Sequence, residues 1–299
     1  MIQTHFLKYK TPFDFKQMLD FMAPRATRGV EVVGRDSYAR TFRIGDSKGC
    51  FIVRDDTENQ VLALQIACGD SRCRPDIQCR VRRMFDLDTD FDAVCAALSK
   101  DRWLLRRIKN GRVPRLPMAF DPFELAIRAV IGQQISVKAA TTVASRFAKN
   151  AGLKVDTGFP AGLDCFFPNP AEVLNLELTG LGITQNRQTT LKAVARGLLE
   201  ARFELTRDQP FDKFHRDFTA IKGIGDWTAN YVAMRGLGMT DRFPATDLGI
   251  LQALSRNGRT PSQKEVLALA EKWRPYRTYA ALCLWQSANT NQTTLSEGA

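Results

Sequence analysis

The sequence predicts an α+β protein: an N-terminal antiparallel-sheet α/β domain followed by an all-α region. Short β-rich runs separated by Gly, Asp, Asn and Ser crowd the first 90 residues. From about residue 91 the apolar spacing becomes helical and helix-start signals recur. The chain has 299 residues, 44% of them hydrophobic and 25% charged, which is ordinary globular composition and enough for two or three cores.

Taken in order, Phe13 to Met22 has helical apolar spacing, and Gly29–Val33, Tyr38–Ile44, Cys50–Arg54 and Val61–Ala67 read as strands. Together they suit a sheet with a helix packed on one face. Asp121-Pro122-Phe123-Glu124 supplies a cap, a first-turn proline and an acid at the third helical position. That helix runs to Gly132. Ser136 caps the next, Val137 to Lys149, so Gly132-Gln133-Gln134-Ile135 forms a tight junction. Residues 150–170 hold several Gly and Pro and read as an irregular loop. Further helices are expected at 171–178, 185–201, 211–221, 226–235, 248–255, 262–272 and 275–288. The terminus around His5 reads as frayed and the tail Asn289 to Ala299 as disordered.

Composition narrows the chemistry. No run approaches the roughly 18–20 apolar residues needed to span a bilayer, and no apolar signal core opens the chain, so a soluble cytoplasmic protein with no membrane partner is expected. A charge of +11, from 43 Lys+Arg against 32 Asp+Glu, fits a polyanionic partner. Two basic clusters stand out: Lys100, Arg102, Arg106, Arg107, Lys109, Arg112 and Arg115, and then Arg72, Arg74, Arg80, Arg82 and Arg83. Each suits either a nucleic-acid contact or a solvated basic face. Seven cysteines with no CxxC pair argue against a disulfide framework. Cys68, Cys73 and Cys79 have loose metal-like spacing but no neighbouring His. Only Cys283 follows residue 165, which excludes a C-terminal four-cysteine iron–sulfur cluster. His5 and His215 are the only histidines, so hydrolytic triads and His-rich metal sites are poor fits.

Residues 218–247 carry the chemistry. Lys222-Gly223-Ile224-Gly225 joins two amphipathic helices; the glycines permit positive φ and close backbone approach. The free N–H groups of the following helix make the turn a phosphate site, and Lys222 adds a point charge. The same pattern also serves a plain αα-corner. Trp227 and Tyr231, four apart, share a helix face, and Trp285 and Phe21 are placed to join them, either as core or as the walls of a base pocket. A π-walled pocket would hold a flipped, electron-poor purine by stacking and cation–π attraction. Asp247, just before the helix at Leu248, reads as an N-cap or as a catalytic carboxylate that stabilises positive charge at C1′ and orients water.

These blocks resemble the helix-hairpin-helix, Gly/Pro-Asp superfamily of DNA glycosylases, in particular its DNA-3-methyladenine glycosylase II (AlkA-type) branch. The resemblance covers nearly the whole chain. It includes Tyr38-Ala39-Arg40, Met84-Phe85-Asp86-Leu87, Asp121-Pro122-Phe123-Glu124 and Arg128-Ala129-Val130-Ile131-Gly132-Gln133. Its most specific parts are Trp227-Thr228-Ala229-Asn230-Tyr231 and Phe243 to Ile250. It implies a sheet domain at 1–90, resembling that of TATA-binding proteins, and a helical glycosylase core of two subdomains at 91–288. The middle subdomain would span about 121–238, and the second about 91–120 plus 239–288.

By resemblance, Asp247 is the catalytic aspartate, and Trp227, Tyr231, Trp285 and Phe21 are the base-pocket aromatics. Lys222, Gly223, Ile224, Gly225, Gln133 and Gln134 would contact DNA. The carbonyls of Thr219, Ile221 and Ile224 would hold a structural Na+ or K+. No other cofactor is implied, and no iron–sulfur cluster. Two departures matter. Where bifunctional relatives place a Schiff-base lysine this chain has Trp227, which implies hydrolysis without strand cleavage. Gln134 stands where leucine-bearing relatives place the wedge that fills the gap left by the flipped base.

The expected function is a monofunctional, monomeric base-excision glycosylase acting on 3-methyladenine and 7-methylguanine in double-stranded DNA, at a bacterial nucleoid. The alternatives are a glycosylase for deaminated or oxidised bases and a non-catalytic damage-binding module.

Overall fold

Period-two alternation in the first 70 residues builds a five-stranded antiparallel sheet from β1 (Ile2–Lys8), β2 (Glu31–Val33), β3 (Ser37–Ile44), β4 (Ser47–Asp56) and β5 (Val61–Cys68). The strand order is β1-β5-β4-β3-β2. The computed structural model describes residues 2–105, 112–156, 158–256 and 258–296, with 288–296 described by their backbone alone. Arg106, Arg107 and Lys109 of the first basic cluster lie outside the described residues.

Two helices, α1 (Phe15–Met22) and α2 (Arg74–Met84), share one apolar cluster with the sheet. Tyr38, Phe51, Val53, Leu62, Leu64 and Ile66 come from the strands, and Met18, Leu19, Ile77 and Val81 from the helices. The sheet's other face is partly covered by the 150–168 segment, whose Leu163 packs with Ala39 and Cys50. Single bridges, Gly29↔Leu163 and Lys154↔Cys165, hold that irregular segment in place.

Two expectations are corrected here, and one further helix is added. The terminus around His5 is not frayed: β1 pairs with β5 from Ile2↔Ala67 to Lys8↔Val61, and Leu7 is buried. Long-range pairing supplies order that a polar, strongly alternating terminus does not announce. Helix α2 hides within the second basic cluster, where Pro75 sits in the first turn and Ile77, Val81 and Met84 form the buried stripe. The last helix, α13 below, continues to Ser296 through the stretch expected to be disordered. Once the buried residues 279–284 have nucleated it, each further residue costs little.

The helical region begins with α3 (Phe91–Leu98) and α4 (Arg102–Leu105), then α5 (Pro122–Ile131) and α6 (Val137–Asn150). Next come α7 (Pro170–Asn175), α8 (Gln185–Leu199), α9 (Phe211–Thr219) and α10 (Asp226–Arg235). The last three are α11 (Leu248–Leu254), α12 (Gln263–Ala270) and α13 (Arg277–Ser296). Asp121 caps α5 by accepting from the N–H groups of Phe123 and Glu124, and Ser136 caps α6. Two apolar clusters divide these helices. One gathers Ile127, Phe147, Leu191, Phe214, Phe218 and Val232. The other joins Phe91 and Leu104 to Phe243, Ile250, Trp273 and Leu284.

A buried ion network fastens the sheet domain to α5. Arg40 donates to Glu124 at 2.6 Å, and both side chains are 4% exposed. Arg128 Nη1 donates to Glu124 and to Glu31, each at 2.8 Å. Tyr38 Oη and the Thr27 N–H complete the shell of Glu31 at 2.6 and 2.9 Å. Burial alone would raise the Glu31 pKa, but the Arg128 and Arg40 guanidiniums hold it down at about 2.

The basic clusters prove heterogeneous. Arg115 is buried and donates to the backbone carbonyls of Pro12, Asp86 and Lys10, so it is structural. Arg72, Arg80 and Arg82 pair with Asp70, Asp76 and Asp88.

Candidate active site

The Gly-Ile-Gly turn lies between α9 and α10, as its glycines require. Gly223 has φ +94°, and a Cβ there would stand 2.2 Å from Thr190 Oγ1. Thr190, on α8, donates to the Lys222 carbonyl at 3.0 Å and so supports the turn from behind. Ile224 is buried as an apolar anchor, and its N–H closes the turn onto the Ile221 carbonyl at 3.0 Å. Gly225 is the N-cap of α10, with no side-chain cap and nothing within 4 Å of where its Cβ would stand. The first N–H groups of α10 therefore face open space.

The α5–α6 junction is bolted to this turn. Gln133 Nε2 donates to the Gly223 carbonyl at 2.9 Å and to Thr228 Oγ1 at 3.0 Å. Arg187 in turn donates to the Gln133 carbonyl. Gln134 is exposed at the tip with φ +57°, a conformation uncommon outside glycine. Beside it, Ile135 and Val137 are 37% and 44% exposed.

A cleft of about 990 Å³ opens between the junction, α10, the Asp247 loop and α13. Phe21, Gln133, Gln134, Trp227, Tyr231, Asp247 and Trp285 all line it, so residues from five separate segments of the chain converge. Trp227 stacks on Tyr231 with centroids 5.0 Å apart and planes 11° off parallel, and Trp285 lies 6.2 Å from Tyr231, tilted by 56°. Phe21 joins less simply, because the Arg25 and Arg235 guanidiniums lie 3.9 and 4.8 Å from its ring centroid. Its face is already occupied.

Asp247 stands at the centre. Its φ and ψ of −66° and 129° are those of an N-cap, and Oδ1 accepts from the Ile250 N–H at 3.1 Å. The same oxygen accepts from Trp285 Nε1 at 2.8 Å, while Oδ2 accepts from Trp227 Nε1 at 2.8 Å. The cap reading and the carboxylate-in-a-cleft reading thus describe one residue. Gly249 provides the clearance: a Cβ there would stand 3.2 Å from both Asp247 Oδ1 and Trp285 Cδ1. Every donor to Asp247 among the described residues is electrically neutral.

Tyr231 is the other polarised group. Burial would raise its pKa, but Arg235, Arg25 and Arg128 outweigh burial and lower it. Arg235 Nη1 donates to its hydroxyl at 2.5 Å. Sequence reasoning missed Arg25, Arg128 and Arg235 as lining residues, along with Leu248, which is 72% exposed beside Asp247. An exposed leucine at a helix start would have been a usable signal for Leu248. Nothing local distinguishes the three arginines. His215 pairs with Asp226 in the first turn of α10, at 3.0 Å. The Cys68 and Cys73 thiols both donate to the Asp70 carbonyl.

A glycine turn at a helix start, an exposed tip bolted to it and a carboxylate at the mouth of an aromatic cleft are the arrangement of a helix-hairpin-helix DNA glycosylase. Residues 4–121 match the AlkA N-terminal domain, and residues 127–275 match the HhH-GPD superfamily of base excision DNA repair proteins. The chain is 32% identical to DNA-3-methyladenine glycosylase 2 of Escherichia coli, over 93% of this chain and 95% of that one. It is 33% identical to a probable bifunctional transcriptional activator/DNA repair enzyme of Mycobacterium tuberculosis, but spans only 56% of that longer protein. A 3-methyladenine DNA-glycosylase from Archaeoglobus fulgidus shares the fold, with TM-score 0.79 at 21% identity over 96% of this chain and 98% of that one. The chain belongs to the AlkA-type DNA-3-methyladenine glycosylase II family of base-excision repair enzymes. Among the described residues no helix is long and apolar enough to cross a membrane.

Proposed function

We propose that this chain is a monofunctional glycosylase that extrudes alkylated purines from double-stranded DNA and hydrolyses their N-glycosidic bond. One observation carries the reading: Asp247 is held by two indole N–H groups and a backbone N–H, and the residue that could have been a Schiff-base lysine, Trp227, is one of those donors.

The α10 N-terminus at Gly223–Gly225 grips a phosphate, with Lys222 adding charge. Gln134 enters the stack from its left-handed tip and fills the gap, hydrogen-bonding the orphaned base. The extruded purine lies against Trp227, Tyr231 and Trp285, where a cationic lesion is favoured by the ring faces. As the C1′–N bond lengthens, positive charge grows on the sugar. Asp247, oriented but not neutralised by its neutral donors, stabilises that charge and aligns water through the open lone pair of Oδ2. An alkylated purine is already a good leaving group, so one carboxylate suffices.

The carbonyls of Thr219 and Ile224 accept no hydrogen bond among the described residues, and Ile221 spends one lone pair on Ile224. That fits a Na+ or K+ held by these three oxygens, which would add positive charge beneath the phosphate. We further infer a three-part chain, with a sheet domain and two helical subdomains, acting as a cytoplasmic monomer.

The test is Asp247→Asn, which keeps a good N-cap residue. Release of 3-methyladenine and 7-methylguanine from methylated duplex should fall by about 10²–10³-fold with DNA binding retained. Full activity would sink the mechanism. Borohydride trapping of a covalent protein–DNA adduct would overturn the monofunctional reading.

A further inference from the structure

A second cavity, of about 310 Å³, lies at the seam between the sheet domain and the helical region and shares no lining residue with the cleft around Asp247. That volume admits a small molecule and not a duplex. Strand β3 lines it with Arg40 and Arg43, and α2 with Arg80. Arg40, only 4% exposed, spends Nε on the Thr41 carbonyl at 3.0 Å and Nη2 on Glu124 at 2.6 Å. Its Nη1 has no partner among the described residues, although buried donors are seldom left so. Arg43 commits only Nη1, to Glu172 at 2.6 and 2.7 Å, and Arg80 only Nε, to Asp76 at 3.0 Å. Phe120 sets two of these forks, with the Arg40 and Arg80 guanidiniums 4.8 and 5.5 Å from its ring centroid. Two carboxylates also line the cavity, and both are engaged. Asp121 Oδ1 accepts from the Phe123 and Glu124 N–H groups at 2.8 and 3.4 Å, and Glu124 accepts from Arg40 and Arg128. Glu172 and Asp76 do not line it, so three guanidiniums face two carboxylates. The opposite wall is apolar, with Phe167, Leu198 and Leu205.

We propose that this seam cavity binds a small organic phosphate with an aromatic body, of the size of a nucleoside monophosphate. The phosphate oxygens take the uncommitted N–H groups of Arg40, Arg43 and Arg80, and the ring lies against Phe167, Leu198 and Leu205. Guanidinium forks suit a phosphate because they offer paired, charge-assisted donors. Water satisfies such donors but gains nothing on the apolar wall. Inorganic phosphate likewise leaves the wall bare, and a nucleoside leaves the forks bare. Binding makes and breaks no covalent bond, and Asp247 takes no part in it. The site is independent of the excision chemistry.

The experiment titrates the full chain with adenosine 5′-monophosphate, inorganic phosphate and adenosine in a calorimeter. Two variants are compared with wild type: the double substitution Arg43→Met, Arg80→Met, and Leu205→Trp, which fills the apolar side and keeps every guanidinium. Wild type should bind the nucleotide at one site, about tenfold or more tighter than phosphate or adenosine. Each variant should weaken that binding about 10–100-fold. Saturating abasic-site duplex should leave the nucleotide affinity within about twofold, because the two sites share no lining residue. Absence of nucleotide binding at millimolar concentration would overturn the proposal. Displacement by duplex would too, since it would put the anion on the DNA-binding face, and so would unchanged affinity in the double variant. Phosphate binding as tightly as the nucleotide would overturn the assigned ligand class. If the double variant melts lower than wild type, Leu205→Trp and the duplex competition decide. Release of 7-methylguanine by wild type is measured separately, so failure of the glycosylase reading is a distinct result.

Discussion

Two sets of carboxylates in this molecule are held in opposite ways. Glu31 and Glu124, between the sheet domain and α5, are gripped by the Arg40 and Arg128 guanidiniums. Asp247, in the cleft, is gripped by two indoles and a peptide N–H. Both arrangements fix a carboxylate with short hydrogen bonds. Only the first cancels its charge. An ion pair spends the acid on architecture, whereas neutral donors orient an acid and leave its field available to a sugar that is becoming cationic. The same chain thus separates carboxylates spent on ion pairs from the one proposed above to act on the substrate.

The contrast is broken most severely at the ion network. Glu124→Gln strands the buried Arg40 charge and should cost about 3–5 kcal/mol of stability, seen as a large drop in melting temperature, while the remaining folded protein keeps its excision rate. Trp285→Phe tests the other side. It removes one neutral donor and keeps a ring, so excision should slow about 10–100-fold with melting temperature and abasic-DNA binding nearly unchanged. Equal damage to stability would mean that this indole is chiefly a packing group.

Acid titration sharpens the distinction. The Glu31 pKa is depressed in the folded state, from 4.5 to about 2. Its stabilising contribution is therefore complete above 4.5 and is lost as pH falls from there towards 2. Denaturant midpoints should fall through that window in wild type, and the drop should be shallower in Glu31→Gln. The smallest effect is expected at the tip: Gln134→Ala should weaken excision by less than about tenfold, measured against several opposing bases.

Much of the site was legible because it is local. A glycine turn, a tryptophan four residues before a tyrosine and an aspartate at a helix start all fall within 25 residues. The donors to Asp247 were less so, since Trp285 reaches it across 38 residues. The ion network was invisible for the same reason: Arg40 and Glu124 are 84 apart, and nothing in either neighbourhood marks them as partners. Strand β1 escaped notice because its cue is pairing with a distant strand, and helix α2 because its cue is burial against distant residues while arginines crowd its stripe. Arg115 shows the reverse error, a buried arginine read as a surface charge that spends its donors on backbone carbonyls.

The pair of hydrogen bonds from Gln133 to Gly223 and Thr228 has a consequence for how DNA is searched. The tip proposed to probe the base stack and the turn proposed to clasp the backbone are rivets in one plate. If the tip and the turn act on DNA as proposed, interrogation could not run ahead of grip: the probe would enter the stack only where a phosphate is already seated, and both would have to lift before the protein moved on. Loosening that rivet with Gln133→Ala would give a protein that still holds DNA but tests each base pair with less authority.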